Sequence, residues 1–357
     1  MKELQQILSV LKSTPAGNAV LATLVKVEGS SYRRPGARLL LLADGRRIGS
    51  ISGGCLEDDV ITHAREVLAN GTAKTITYDT TTENDLVWGV GLGCHGVVHV
   101  LIEKLPSSPR WADVLRENFR RRVATELAIV WRGPEGTPLG TYLASDLPPA
   151  PIGVEPAVPA GSSPPGRRAP PPAGDEPDPT VFHQTVPPPQ ALVIFGAGDD
   201  AQPLVRFAKE LGWQVTIADP RPAFVTPERF PDADILVVAQ PDEAPARLAL
   251  GADTLAVIMT HHYRHDLPLL RALLPRPLAY LGLLGPKKRT EKILSDLVAD
   301  GLVLTPAMRA RLHAPVGLDL GADNPGEVAL AILAEMKASL TGRDGRPLRE
   351  RALPIHG

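Results

Sequence analysis

Residues 191–222 read ALVIFGAGDDAQPLVRFAKELGWQVTIADPRP, and they decide the fold of the C-terminal half. The apolar run at 191–195 predicts a short buried strand. Gly196-x-Gly198-x-x-Ala201 follows at once, and 202–211 carries a helical apolar period. A second strand over 214–218 runs into Asp219, 21 residues after Gly198. A tight turn, a close backbone approach and helix–strand packing require small residues at Gly196, Gly198 and Ala201 respectively. An acid at the end of the second strand is placed to accept hydrogen bonds from a ribose, so Asp219 is the candidate for that role. The expectation is a Rossmann-like unit with a nucleotide-like ligand.

Further along, apolar strands are expected over 235–239, 255–259 and 279–284. Helices are expected over 266–274, 287–299 and 325–339, the last preceded by Asn324-Pro325, a pair suited to a helix start. Strands alternating with helices imply a parallel, helix-covered sheet. The domain spans 190–345, and 346–357 reads as a tail.

Asp199 and Asp200 sit inside the glycine loop, where a pyrophosphate needs positive potential. Two unit charges about 5 Å apart repel by roughly 3 kcal/mol at an effective dielectric near 20. That exceeds the roughly 0.3–1 kcal/mol a helix terminus offers an anion. Either the two acids turn away as helix caps, or a metal bridges the ligand, or its phosphate lies elsewhere.

Upstream, residues 148–190 read PPAPIGVEPAVPAGSSPPGRRAPPPAGDEPDPTVFHQTVPPPQ. Fifteen of the chain's 37 prolines fall there, and no apolar period offsets the entropy of ordering. The range 147–189 is therefore expected to be a semi-stiff spacer, with Val181-Phe182-His183 able to dock on a domain. The net charge of −2 gives no electrostatic case for nucleic acid or a membrane surface. Two cysteines, Cys55 and Cys94, make no disulfide framework and fit a reducing compartment. Residues 1–13 pattern as a short amphipathic helix, too polar for a signal peptide, and no apolar run reaches the roughly 18 residues of a membrane span. The expectation is a cytoplasmic protein.

Residues 1–146 mix strands, at 19–27, 38–42, 46–52, 74–78, 97–103 and 127–131, with one clear helix at 56–68 ended by Asn70-Gly71. This predicts an α+β domain with a mostly β core. Its densest stretch is GSSYRRPGARLLLLADGRRIGSISGGCLEDD, residues 29–59. Gly53-Gly54 frees the backbone to present N–H groups to a ligand, and Cys55 at a helix start is a candidate reactive thiolate, opposed by Glu57, Asp58 and Asp59. A small buried apolar cysteine is the plain alternative. Cys94 lies in GVGLGCHG, again surrounded by glycines. A zinc site from Cys55, Cys94, His95 and His63 lacks the usual short ligand pairs, so no metal is assigned. Arg33, Arg34 and Arg38 flank Pro35-Gly36 and could hold a phosphate or pterin oxygen, or line a solvated turn. In the second domain THHYRHD, residues 260–266, follows a strand, where open parallel sheets bind ligands. His261 and Asp266 are its candidates, against a polar loop with one satisfied histidine. Lys287-Lys288-Arg289 after Gly285 marks a second candidate anion loop.

These motifs, in this order, resemble the XdhC/CoxI family of molybdenum-enzyme accessory proteins. The likeness runs over GSSYRRPGARLLLL, DGRRIGSISGGCLE and GLGCHG, then VIFGAGDDAQPL, ADPRP, MTHHYRHD, YLGLLGPKKR and GLDLGADNPGEVALAILAE. His95 and Asp199 depart from residues common in the family, a glycine and a histidine, and the long proline spacer is atypical. The resemblance implies an N-terminal XdhC/CoxI-type domain joined to a C-terminal Rossmann-like one. It implies a chaperone that binds the molybdenum cofactor (molybdopterin) as cargo and assists its sulfuration and insertion into xanthine dehydrogenase-type hydroxylases. A cysteine desulfurase and the target apoenzyme are the implied partners, and a homodimer is implied by analogy. On this reading Cys55 acts at the cofactor, with Arg34, Gly53, Gly54, Cys94, Gly196, Gly198, Ala201, Asp219 and His261 binding it. The rival reading is an NAD(P)-dependent oxidoreductase working through Gly196, Gly198 and Asp219.

Overall fold

The computed structural model describes residues 1–79, 96–147 and 180–352, which lie in two compact units. One is Glu3–Pro188; the other is Pro189–Gly357 with Met1–Lys2. Each unit has its own core.

The first unit holds α1 (Lys2–Leu11), β1 (Ala19–Gly29), β2 (Arg38–Leu42), β3 (Arg47–Gly49), α2 (Glu57–Asn70), β4 (Lys74–Asp79), β5 (Gly96–Lys104), α3 (Arg110–Arg121), β6 (Thr125–Arg132), β7 (Gly140–Leu143) and β8 (Thr180–Val186). Strands pair antiparallel in a five-stranded sheet of order β3-β2-β1-β5-β4. Both faces of its centre are covered, which is why β1 and β2 are near-continuous apolar runs. Val60, Ile61, Ala64 and Val67 of α2 cover one face. The other meets a three-stranded sheet, β7-β6-β8, together with Ile7, Leu8 and Leu11 of α1 and Trp111 and Leu115 of α3. Gly71 closes α2 in the left-handed conformation, as Asn70-Gly71 predicts.

Three features of this unit depart from the sequence expectation, one of them the short strand β7, where no strand is expected. Helix α3 is absent from that expectation, although Trp111, Ala112, Leu115 and Phe119 of RWADVLRENFRR stand at helical spacing. And β8 lies inside the range expected as a spacer. Its seven residues pair with β6 from Thr125 to Arg132, so Val181-Phe182-His183 dock on the first unit as part of a strand. Gln184 of β8 also accepts from Nη2 of the buried Arg38 at 2.7 Å, which ties the strand to the main sheet.

The second unit contains β9 (Ala191–Phe195), α4 (Ala201–Glu210), β10 (Gln214–Asp219), β11 (Ile235–Val238), β12 (Thr254–Ile258), α5 (Tyr263–Leu273), β13 (Tyr280–Leu283), α6 (Lys287–Ala299), α7 (Pro306–Arg311), β14 (Leu312–His313) and α8 (Pro325–Leu340). All six strands are parallel, in the order β11-β10-β9-β12-β13-β14. Numbered from β9, this is the 3-2-1-4-5-6 order of the Rossmann fold. Helices α4 and α8 pack on one face, and α5 and α6 on the other. Asn324 caps α8, accepting from the N–H groups of Gly326 and Glu327, with Pro325 in the first turn as expected.

Candidate functional site

Each unit presents a loop whose geometry the sequence marks out. In the second unit, the strand order reverses between β9 and β12, and their C-terminal ends are where ligands of this fold bind. Gly196 has φ +120°, and a Cβ there would lie 2.6 Å from the Met259 carbonyl oxygen. Only glycine fits that turn. A Cβ on Gly198 would meet only the tip of the Asp200 side chain, so the fold leaves this position open for a ligand's approach. Ala201 is fully buried at the start of α4, where a small residue lets the helix close on the sheet.

The acids of this loop do not cap α4. Asp200 occupies the N-cap position without a side-chain cap bond. Its Oδ2 instead meets Nε2 of His261 at 2.5 Å, and Asp199 pairs with Arg229 at 2.8 Å. The hydrogen bond to Asp200 pushes the His261 imidazole above its ordinary value, against the effect of burial. His261 itself is held at φ +57°, an uncommon conformation for a non-glycine residue. Arg229 and His261, from other segments of the unit, thus supply counter-ions to the loop, and the repulsion expected toward a phosphate is reduced.

Asp219 does not stand ready for a ribose. Its side chain is buried, and its carboxylate accepts four N–H groups. These are the backbone of Ala197 (2.8 Å), the backbone of Arg221 (2.9 Å), and Nε and Nη2 of Arg221 (2.8 Å each). Burial pushes this acid up, but the guanidinium and the two backbone donors outweigh it and hold it below the usual carboxylate range. A ribose diol would have to displace Arg221, whose guanidinium also lies 3.9 Å from the Phe224 ring centre. Asp266 is likewise structural. It is fully buried, accepts from the Thr260 hydroxyl at 2.5 Å and lies 3.4 Å from Arg289. Desolvation raises it above the usual carboxylate range, and these partners offset that only in part. Arg289 turns back to donate to the Leu284 carbonyl, leaving Lys287 and Lys288 exposed at the start of α6.

In the first unit, the chain from Ser50 to Glu57 wraps around one carboxylate. Glu57 accepts from the backbone N–H groups of Ile51 (3.2 Å), Ser52 (2.9 Å), Gly53 (3.2 Å) and Gly54 (2.9 Å), and from the hydroxyls of Ser50 (2.7 Å) and Ser52. Burial works against its charge, yet the Ser52 donors and the others dominate and hold it down at about 2. The N–H groups that the glycines free are therefore spent on Glu57 rather than offered to a ligand. Gly53 and Gly54 have φ of +90° and +123°, and this left-handed run folds the loop around the acid. Cys55 follows, half-buried, with Sγ 4.0 Å from the Ser52 carbonyl. Arg34 is exposed in the preceding turn, while Arg33 pairs with Glu3. The residue of that turn that meets the cysteine loop is Tyr32, against Gly53. His63, a zinc candidate in the sequence, lies among Asp59, Glu66 and Lys74 on α2 and β4. Cys94 and His95 lie outside the described residues.

Glu57 and Arg221 are the site residues that sequence reasoning misses. In the sequence Glu57 is a charge opposing the thiolate, and its position two residues after Cys55 is the available signal.

A family model described as the XdhC Rossmann domain matches residues 192–336, and one described as the XdhC and CoxI family matches 15–79. The chain is 34% identical over 323 residues to a protein of Bacillus subtilis (strain 168) named as a probable xanthine dehydrogenase subunit, covering 89% of this chain and 92% of that one. It is 25% identical over 319 residues to the molybdenum cofactor insertion chaperone PaoD of Escherichia coli (strain K12), covering 89% and 82%. A solved structure of a xanthine dehydrogenase from Bacillus halodurans aligns with TM-score 0.74 at 28% identity, over 99% of this chain and 98% of that one.

Proposed function

This chain belongs to the XdhC and CoxI family, and from that premise we propose that it is a maturation factor for molybdenum hydroxylases. It binds the molybdenum cofactor, shelters it during sulfuration and passes it to a xanthine dehydrogenase-type apoenzyme. A cysteine desulfurase supplies the sulfur, and the factor works as a homodimer. The likeness to an insertion chaperone along most of both chains supports this role.

The observation that carries the reading is the loop around Glu57. It holds Cys55 at the rim of a rigid, partly exposed turn, where a thiol can meet a bulky ligand without reorganising the backbone. Cys55 is the residue that touches the cofactor, and Cys94 is its proposed second thiol. In the other unit, considered by itself, Gly196, Gly198 and His261 are the proposed contacts for a phosphate or nucleotide group.

Protein purified from cells that make the cofactor should yield the fluorescent pterin after oxidation, in proportion to protein. Folded protein that yields none above background overturns the proposal. The rival, an NAD(P)-dependent oxidoreductase, rests on the Rossmann strand order and Gly196. It is disfavoured because Arg221 already fills the ribose acceptor Asp219. Micromolar NADH or NADPH binding in a fluorescence titration would restore it.

A further inference from the structure

Tyr32 is 66% exposed in a chain with only 4% aromatic residues. A single exposed tyrosine is ordinary. What sets this one apart is its support. Its ring lies against Gly53, where a Cβ would come within 2.8 Å of both Cδ1 and Cε1. The ring therefore depends on a glycine, and that glycine is fixed in turn by its N–H bonds to Glu57 and to the Ser50 hydroxyl. Side chain and loop form one pre-organised surface, and most of the tyrosine remains open to solvent.

Two chain steps separate Gly53 from Cys55, a span of at most about 7 Å. A planar fused ring lying on Tyr32 is long enough to bring its far edge to the thiol. Tyrosine suits such a platform, since it offers a large flat surface with few rotamers to freeze. Arg34, exposed two residues away, adds positive charge beside it.

We infer that Tyr32 is a stacking platform for the heteroaromatic ring of the ligand, positioning that ligand for Cys55. This rests on the reading that the cargo is a pterin cofactor. Base–aromatic stacking is sequence-tolerant and depends on the π face rather than on a hydroxyl. The phenylalanine variant must therefore preserve binding, and a non-aromatic side chain of similar bulk must lose it.

The test uses full-length protein purified from cofactor-producing cells as wild type, Tyr32→Phe, Tyr32→Leu and Tyr32→Ala. Bound pterin is measured after oxidation, with the induced circular dichroism of the bound chromophore as a second readout. The expected result is wild-type content in Tyr32→Phe, about a tenfold loss in Tyr32→Leu and Tyr32→Ala, and loss of the induced signal with them. Equal pterin in wild type and Tyr32→Leu overturns the platform and leaves the cofactor reading standing. Loss in Tyr32→Phe equal to that in Tyr32→Leu overturns stacking in favour of a hydroxyl contact. No pterin in the wild type overturns both. Matching melting curves exclude misfolding as the cause, and Tyr32→Phe controls for it independently.

Discussion

Replacing Glu57 by glutamine keeps the size of the side chain and removes the charge at the centre of the cysteine loop. In the native protein that carboxylate accepts four backbone N–H groups and two hydroxyls. Its fall from 4.5 to about 2 corresponds at face value to about 3 kcal/mol of preference for the charged form. The group is partly exposed to solvent, so screening reduces this to about 1–2 kcal/mol. An amide has one acceptor oxygen and cannot replace two. The amides of residues 51–54 should then exchange with solvent roughly 5–30 times faster in Glu57→Gln, measured by hydrogen-exchange mass spectrometry near pH 7. The sign with pH follows from the depressed value. The stabilisation is complete above about 4.5 and is lost as pH falls toward 2. The gap in melting temperature between wild type and variant should therefore shrink between pH 4.5 and pH 3. Unchanged exchange at residues 51–54, or a gap that does not narrow in acid, would refute the idea that one ionised carboxylate organises this loop.

Three further outcomes test the same physical account. Gly196→Ala places a Cβ 2.6 Å from the Met259 carbonyl at a φ of +120°, so it should cost on the order of 1–3 kcal/mol, read by denaturant unfolding; a neutral result would mean the turn is looser than described. His261 should titrate above its ordinary 6.5 by NMR, and Asp200→Asn should bring it down. The pair's contribution is present below about 6.5 and lost as pH rises through the folded value; titration at or below 6.5 in the wild type would rule out the pairing. Gln184→Leu removes the acceptor of the buried Arg38, which burial has already lowered to about 10. A loss of about 1–3 kcal/mol in the first unit is expected, and an unchanged melting curve would show that β8 does not anchor that arginine.

The Rossmann unit was legible because its signals are local. A strand, a glycine turn and a helical period each occupy a few consecutive residues, and Gly196 is needed for a contact with the strand beside it. The cysteine loop was legible as a place but not as a mechanism. Its glycines and Cys55 stand out in sequence, whereas the role of Glu57 depends on a carboxylate folding back over four preceding amides. Helix α3 carries its apolar residues at helical spacing and was open to a sequence reading, whereas β8 was hidden by the prolines around it. Pairing energy for β8 comes from β6, some fifty residues earlier, and no local pattern reports that.

The sequence by itself determined the two-unit organisation, the parallel sheet of the second unit and the family to which the chain belongs. Each follows from periodicity, glycine placement or motif order, which are properties of neighbours along the chain. Only the tertiary structure decided how the charged and polar groups are used. Asp199 and Asp200 look like a barrier to phosphate until Arg229 and His261 are found beside them. Asp219 looks like a ribose acceptor until Arg221 closes on it. Gly53 looks like an open donor until Glu57 takes its N–H and Tyr32 covers its α-carbon. The physical reason is the same in each case. A charge or a hydrogen-bonding group is defined by the partner it meets, and folding chooses that partner from loops the sequence does not place together.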